Sequence, residues 1–133
     1  MKHSPQFLKL VEDSKTRIRE MDAPTLLQKL HQKLQKKASF RLIDVREADE
    51  YAVGRLPGAE HLSKGIIERD IETAVPDPTT EIVLYCGGGF RSALAAESLQ
   101  KMGYTKVWSL AGGWREWLAA GHPTEKPGGA SGR

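Results

Sequence analysis

The chain has one cysteine, Cys86, in 133 residues. The lack of a second thiol excludes an intrachain disulfide, a CxxC redox pair and a cysteine-based zinc site, each of which needs at least two. Charge of one sign is not in large excess. The 20 Lys plus Arg against 17 Asp plus Glu leave +3 and a pI of about 9.1, too small an imbalance to argue for nucleic acid. Long apolar runs are missing as well. No stretch approaches the roughly 18 apolar residues of a membrane span, and Met1-Lys-His-Ser-Pro-Gln-Phe7 lacks the apolar run of a signal peptide. The expectation is a cytoplasmic protein with no membrane partner. The four histidines, His3, His31, His61 and His122, match no metal spacing. Gly87-Gly-Gly89 lacks both the Lys-Ser/Thr ending of a P-loop and the spacing of a dinucleotide fingerprint. Neither a metal nor a cofactor is predicted.

With 39% hydrophobic and 28% charged residues, the composition is that of one water-soluble globular domain. Ser4-Pro5 followed by Phe7, Leu8, Val11 and Ser14 predicts a short amphipathic helix with Ser as N-cap and Pro at its first position. Ile18 among charged neighbours allows an edge strand within residues 16–21, so residues 1–21 read as an N-terminal helical extension with a candidate edge strand. Asp22 then caps a helix carrying Leu26, Leu27, Leu30 and Leu34 on one face, with Lys29, Lys33, Lys36 and Lys37 solvated on the other.

Residues 42–45 form a short buried strand followed by a helical turn or two at 47–51. Pro57-Gly58 makes a turn, 61–62 continues as a strand, and 65–72 suits a short helix. Ile82-Val-Leu-Tyr85 is a continuous apolar run, as expected of a strand buried on both faces of a parallel sheet. A helix from Arg91 with Leu94, Ala95, Leu99 and Met102 as its inward stripe stops at Gly103. A strand at 107–110 and a helix at 114–120 follow, and Trp108, Trp114 and Trp117 read as packing aromatics. Strands alternating with helices specify an α/β fold, an open parallel sheet flanked by helices on both faces. The domain spans 22–123, and residues 124–133, rich in glycine, read as a flexible tail.

The chemistry concentrates where the buried strand 82–85 runs through Cys86 and three glycines into a helix. Ligands of open parallel sheets bind beyond the carboxyl ends of strands, where helix N-termini present free N–H groups. Bare glycine backbone at Gly87, Gly88 and Gly89 lets the loop curl into a nest whose amides converge on the Cys86 sulfur. Such amides stabilise a thiolate, and the sulfur is expected to be accessible. Phe90 adds an apolar surface at the mouth. Arg91 supplies a planar cation suited to oxyanions, or braces the loop through its carbonyls. A core cysteine would need no such loop.

Several segments in order resemble the rhodanese family. Leu42-Ile-Asp-Val-Arg-Glu47 with Glu50-Tyr51 is similar to its first motif and Gly54-Arg-Leu-Pro-Gly-Ala59 to its second. Cys86-Gly-Gly-Gly-Phe-Arg91-Ser92 resembles its active-site loop, and Leu110-Ala-Gly-Gly-Trp114 with residues 117–123 its closing motif. The resemblance implies a parallel sheet flanked by helices and a sulfurtransferase that moves sulfane sulfur through a Cys86 persulfide, held by the amides of residues 87–91. The partners it implies are a small-molecule sulfur donor such as thiosulfate and a thiol or protein acceptor, with cyanide serving in vitro. Arg55 stands where most members carry His, and the four residues between Cys86 and Arg91 bear no charge.

By the same resemblance Asp44 and Arg46 are mainly structural supports. His61 is a candidate base facing the pocket, and Lys64 a candidate anion attractor at its rim. Two other readings stay open. A regulatory sulfur carrier or interaction module would use the same loop without turnover. A cysteine-dependent phosphatase or arsenate reductase would want five residues between Cys and Arg, or a second cysteine.

Overall fold

A computed structural model describes residues 3–126. α1 (Pro5–Lys15) is followed by β1 (Arg19–Met21), α2 (Ala23–Leu34), β2 (Arg41–Asp44) and α3 (Ala48–Val53). β3 (Glu60–His61), α4 (Ile67–Ala74), β4 (Ile82–Tyr85), α5 (Phe90–Lys101), β5 (Val107–Leu110) and α6 (Gly113–Ala119) complete the order. The five strands make one parallel sheet in the order β1-β5-β4-β2-β3. β4 is the central strand, and its continuous apolar run follows from having both faces covered.

Side chains alternate between the two faces, and each face has its own core. Ile43, Ile82, Leu84 and Val107 pack with Ile67 and Ile71 of α4 and with Ala95, Ala96 and Leu99 of α5. Leu42, Val83, Tyr85 and Leu110 pack on the opposite face with Leu26 of α2 and Trp117 of α6. Helices therefore cover both faces, as the alternation of elements requires.

The N-terminal segment is built into this architecture. β1 pairs in parallel with β5, Met21 against Leu110. Asp22 caps α2 by accepting from Thr25 N–H at 2.9 Å. α1 lies on α5, where Ser14 Oγ donates to Ala93 O at 3.3 Å and to Glu97 Oε1 at 2.9 Å. Arg17 pairs with both Glu97 and Asp13.

Some expected faces are corrected. Leu34 is 83% exposed although it falls on the Leu26 stripe. Periodicity gives the direction a side chain points, not how far along the helix the underlying core extends. In α5 the buried positions are Ser92, Ala93, Ala95, Ala96 and Leu99, while Leu94 is half-buried and Met102 is 37% exposed. Small residues suffice there because α5 lies between the sheet and α1, so two sides approach its backbone. The lysine face of α2 is only partly solvated, since Lys29 Nζ meets Glu81 at 2.9 Å and Lys33 Nζ donates to Phe40 O at 2.7 Å.

The strand expected at 61–62 is displaced by one residue to Glu60–His61. The glycine-rich segment expected to be a flexible tail from 124 begins with an ordered contact instead. Arg55 and Glu125 form an antiparallel bridge, with N–H to O distances of 3.0 and 2.8 Å. Residues 127–133 lie outside the described residues. Among the described residues, no helix is long and apolar enough to cross a membrane.

Candidate active site

Cys86 directly follows Tyr85, so its sulfur sits where the central strand leaves the sheet. The chain then turns through Gly87, Gly88 and Gly89 into α5, with Gly89 as N-cap at φ 93°. That left-handed conformation favours glycine, and a Cβ at Gly89 would stand 3.3 Å from Leu110 O. The loop is clamped from the other side by the start of α6. Trp114 N–H donates to Cys86 O at 2.8 Å and Arg115 N–H to Gly87 O at 2.9 Å. Otherwise unpaired helix-terminal amides thus hold the loop carbonyls.

Two amides converge on the sulfur. Sγ accepts from Gly89 N–H at 3.1 Å and from Ser92 N–H at 3.4 Å, both at the N-terminus of the twelve-residue α5. Ser92 Oγ lies 3.5 Å from Sγ and 2.8 Å from Ser109 Oγ. Both serines are fully buried. The second amide therefore comes from one position beyond the loop 87–91, and a chain of hydroxyls stands behind the sulfur. Two amide donors and the N-terminal end of α5 thus face the sulfur.

Cys86 itself is 1% exposed, which corrects the expectation of an openly accessible thiol. It lies instead on a cavity of about 590 Å³ whose wall includes Gly87, Gly88, Phe90 and Arg91. Glu50, Trp114 and Arg115 extend that wall, and His3 and Phe7 close it from the N-terminal side. A space of this size suits a small molecule.

Arg91 neither braces loop carbonyls nor stands free. Its guanidinium forms a forked pair with Glu50, Nη1 to Oε1 at 2.8 Å and Nη2 to Oε2 at 3.2 Å. Glu50 also accepts from Glu47 N–H in the capping box of α3. Arg91 beside it lowers the Glu50 carboxyl pKa, against the raising effect of partial burial. The stability from this pair is complete above the ordinary glutamate pKa of about 4.3 and is lost as pH falls through the lowered folded value. Glu50→Gln keeps the capping geometry and is expected to remove that acid-limb slope. At neutral pH it should cost under about 1 kcal/mol, because both side chains are about one-third exposed. Urea unfolding across acidic pH checks this, and an unchanged slope in the variant would contradict it.

The remaining predicted supports lie elsewhere. Asp44 and Arg46 are a buried pair, with Arg46 Nη2 at 2.8 Å from Asp44 Oδ2 and 2.6 Å from Gly54 O. The Arg46 guanidinium also lies over the Trp114 ring, 4.7 Å from its centroid, so the pair supports the cavity wall from behind. His61 does not line the cavity. Its Nε2 is 2.8 Å from Arg46 O and its ring stacks on Tyr51 at 4.8 Å, which occupies it structurally. Lys64 is also outside the cavity wall, and its backbone N–H donates to Val45 O at 2.9 Å.

Ser92, Ser109, Glu50, Arg115, His3 and Phe7 were not singled out as site residues from sequence. Ser92, as the serine after the loop arginine, and Glu50, within the first of the resembling motifs, carried a signal there. Trp117 is fully buried as a packing residue, its Nε1 donating to Pro123 O at 2.8 Å. Trp108 is half-buried, with Nε1 donating to Glu81 Oε2 at 3.0 Å. Trp114 faces the cavity.

Comparison with known proteins follows the same lines. Residues 26–120 match the family model of the rhodanese-like domain. The chain is 35% identical over 91 residues to the thiosulfate sulfurtransferase GlpE of Coxiella burnetii, covering 68% of this chain and 82% of that protein. It is 33% identical over 91 residues to the Bacillus subtilis protein named "Putative sulfur carrier protein YrkF", covering 68% of this chain and only 48% of that protein. Among solved structures, it resembles the polysulfide-sulfur transferase homodimer of Wolinella succinogenes, with a TM-score of 0.74 and 25% identity. That match covers 94% of this chain and 90% of the other.

Proposed function

The chain belongs to the rhodanese-like domain family, a family of sulfurtransferases, and from that premise we propose that it transfers sulfane sulfur through a persulfide on Cys86. The observation that carries this reading is the convergence of Gly89 N–H and Ser92 N–H on Sγ at the floor of a cavity. These donors hold the sulfur in place at the end of the strand, where a persulfide on Cys86 would be hydrogen-bonded by the loop.

In the first half-reaction the Cys86 thiolate attacks the outer sulfur of thiosulfate. The new S–S bond forms as the bond to the sulfite sulfur breaks, and sulfite leaves with that electron pair. In the second half-reaction a nucleophile attacks the outer sulfur of the Cys86 persulfide. The Cys86 S–S bond breaks and its electron pair returns the thiolate. With cyanide as nucleophile the product is thiocyanate. This is nucleophilic covalent catalysis in two halves, so ping-pong kinetics are expected.

The Cys-to-Arg spacing supports sulfur rather than phosphate chemistry. Four residues separate Cys86 from Arg91, giving a small ring suited to one terminal sulfur, and the Arg91 fork is already occupied by Glu50. The test is to incubate the protein with thiosulfate, record its intact mass, and then add cyanide and follow thiocyanate. The expected result is one added sulfur atom per chain, discharged by cyanide with repeated turnover. Loading without turnover would favour the carrier reading, and no loading from thiosulfate or from an organic persulfide would overturn sulfur transfer by this site.

A further inference from the structure

Away from the cysteine, α2 ends on an apolar residue with little over it. Leu34 is 83% exposed, and one turn before it Leu30 is half-buried on the same side of the helix. With Pro57 and Gly58 of the turn before β3, and with Glu125, these leucines line a cavity of about 420 Å³. It shares no lining residue with the cavity over Cys86. Lys33 and Lys36 also line it, and Lys37 follows in the chain. Among the described residues none of these lysines forms a salt bridge. The neighbouring acids are already engaged, since Glu125 accepts from Gly58 N–H at 3.0 Å and pairs with Arg55, and Glu60 pairs with Arg41. The groove therefore has an apolar floor and a rim of uncompensated positive charge.

Lys36 carries a second mark. After Gln35, the C-cap of α2, Lys36 N–H donates to Lys33 O at 3.0 Å and Lys37 N–H to Gln32 O at 2.8 Å. These are the paired bonds of a helix stop that ordinarily turns on glycine. Here the turning residue is Lys36 at φ 60°, the one non-glycine residue with positive φ among the described residues. A side chain in that left-handed conformation is strained, and glycine would remove the strain. Such strain persists where what the side chain reaches outweighs it, and Lys36 reaches the rim of the apolar groove.

We propose that this groove docks a partner protein through an acidic amphipathic helix. Apolar residues of that helix seat against Leu30, Leu34 and Pro57, and its carboxylates lie on Lys33 and Lys36. The charge of the rim selects an acidic partner, and the one-turn spacing of Leu30 and Leu34 suits a helix laid against them. An added strand would find no backbone donor on the opposite wall, because Pro57 has no N–H and Gly58 N–H is held by Glu125. A second copy of this chain would bring lysine against lysine across a two-fold contact. An anionic bilayer would meet the Glu125 carboxylate beside the apolar residues.

The test uses the full chain as bait for a random-peptide library displayed on phage, with counter-selection on Leu34→Asp. Recovered sequences are synthesised with a fluorescent label and their affinities measured by anisotropy. The expected sequences are acidic, with apolar residues three or four positions apart. Leu34→Asp leaves the core intact, because the side chain lies almost wholly outside it, and should weaken binding by roughly tenfold or more. Lys36→Gly should raise the urea midpoint by relieving the left-handed turn, yet weaken binding by about threefold at low salt. A lysine with a structural role alone would not move stability and binding in opposite directions. Recovery of no peptide that depends on Leu34, or of basic peptides, would overturn the docking site, and unchanged affinity in Lys36→Gly would overturn the role of the rim. Sedimentation of the free protein as a dimer that Leu34→Asp dissociates would assign the face to a second copy instead. Leu34-dependent binding to vesicles of phosphatidylglycerol and phosphatidylcholine would likewise replace the protein partner with a membrane.

Discussion

Cys86→Ser is expected to reduce sulfur transfer to background, a loss of about a thousandfold or more, while leaving the domain folded. The hydroxyl can still accept from Gly89 N–H and Ser92 N–H, which now reach Sγ at 3.1 and 3.4 Å. The loop therefore keeps its hydrogen bonds, and the stability change should stay within about 1–2 kcal/mol. Chemistry is lost because a serine hydroxyl is far less acidic than a thiol and forms no persulfide. Cys86→Ala separates the two contributions. It leaves both amides without their acceptor in a buried site, so it should be the less stable variant by about 1–3 kcal/mol with the same absence of turnover. Thiocyanate formation and urea midpoints check both. Residual turnover in either variant near the wild-type rate would remove Cys86 from the reaction.

Gly113→Ala should be among the most destabilising single substitutions in the protein. Gly113 opens α6 at φ 54°, and a Cβ there would stand 2.4 Å from Cys86 O and 2.9 Å from the carbonyl carbon of Gly87. The left-handed φ alone costs about 1 kcal/mol for a residue with a side chain. The clash is with backbone, which cannot swing aside as a side chain does. Relieving it requires α6 to move off the loop, breaking the bonds from Trp114 N–H to Cys86 O and from Arg115 N–H to Gly87 O. Together these effects reach about 4 kcal/mol or more, the range that marks a backbone constraint rather than ordinary packing loss. Any folded remnant should load sulfur poorly, because the loop that presents Gly89 N–H has lost its clamp. Chemical denaturation measures the first effect and intact mass after thiosulfate the second. A variant within about 1 kcal/mol of wild type would show that the loop and α6 adjust more freely than this packing implies.

Gly113 and Cys86 differ in how visible they are before the fold is known. The run Ile82-Val-Leu-Tyr85 followed by Cys86 and three glycines is a contiguous signal, and local chemistry suffices to place a thiol at the end of a buried strand. Asp22, Pro5 and the Pro57-Gly58 turn are local signals of the same kind. The importance of Gly113 is not local, since its restriction comes from the carbonyls of Cys86 and Gly87 on a different strand-to-helix loop. His61 shows the opposite failure. A histidine near the strand ends has suitable chemistry, yet the Arg46 carbonyl and the Tyr51 ring occupy it.

By itself the sequence determined the α/β alternation, the central buried strand, the single nucleophile and the glycine turn that frees its surroundings. Each depends on residue type at short spacing, where backbone sterics and hydrophobic period act directly. Tertiary structure alone decided which amides reach the sulfur, that Arg91 is paired with Glu50, and that Arg115 lies over the glycine loop. It also decided that His3 and Phe7 face Phe90 across the cavity. Those outcomes depend on how α1 packs on α5 and how α6 caps the loop. Such contacts join distant segments, and they are selected by the shape and burial of the whole sheet rather than by any local pattern.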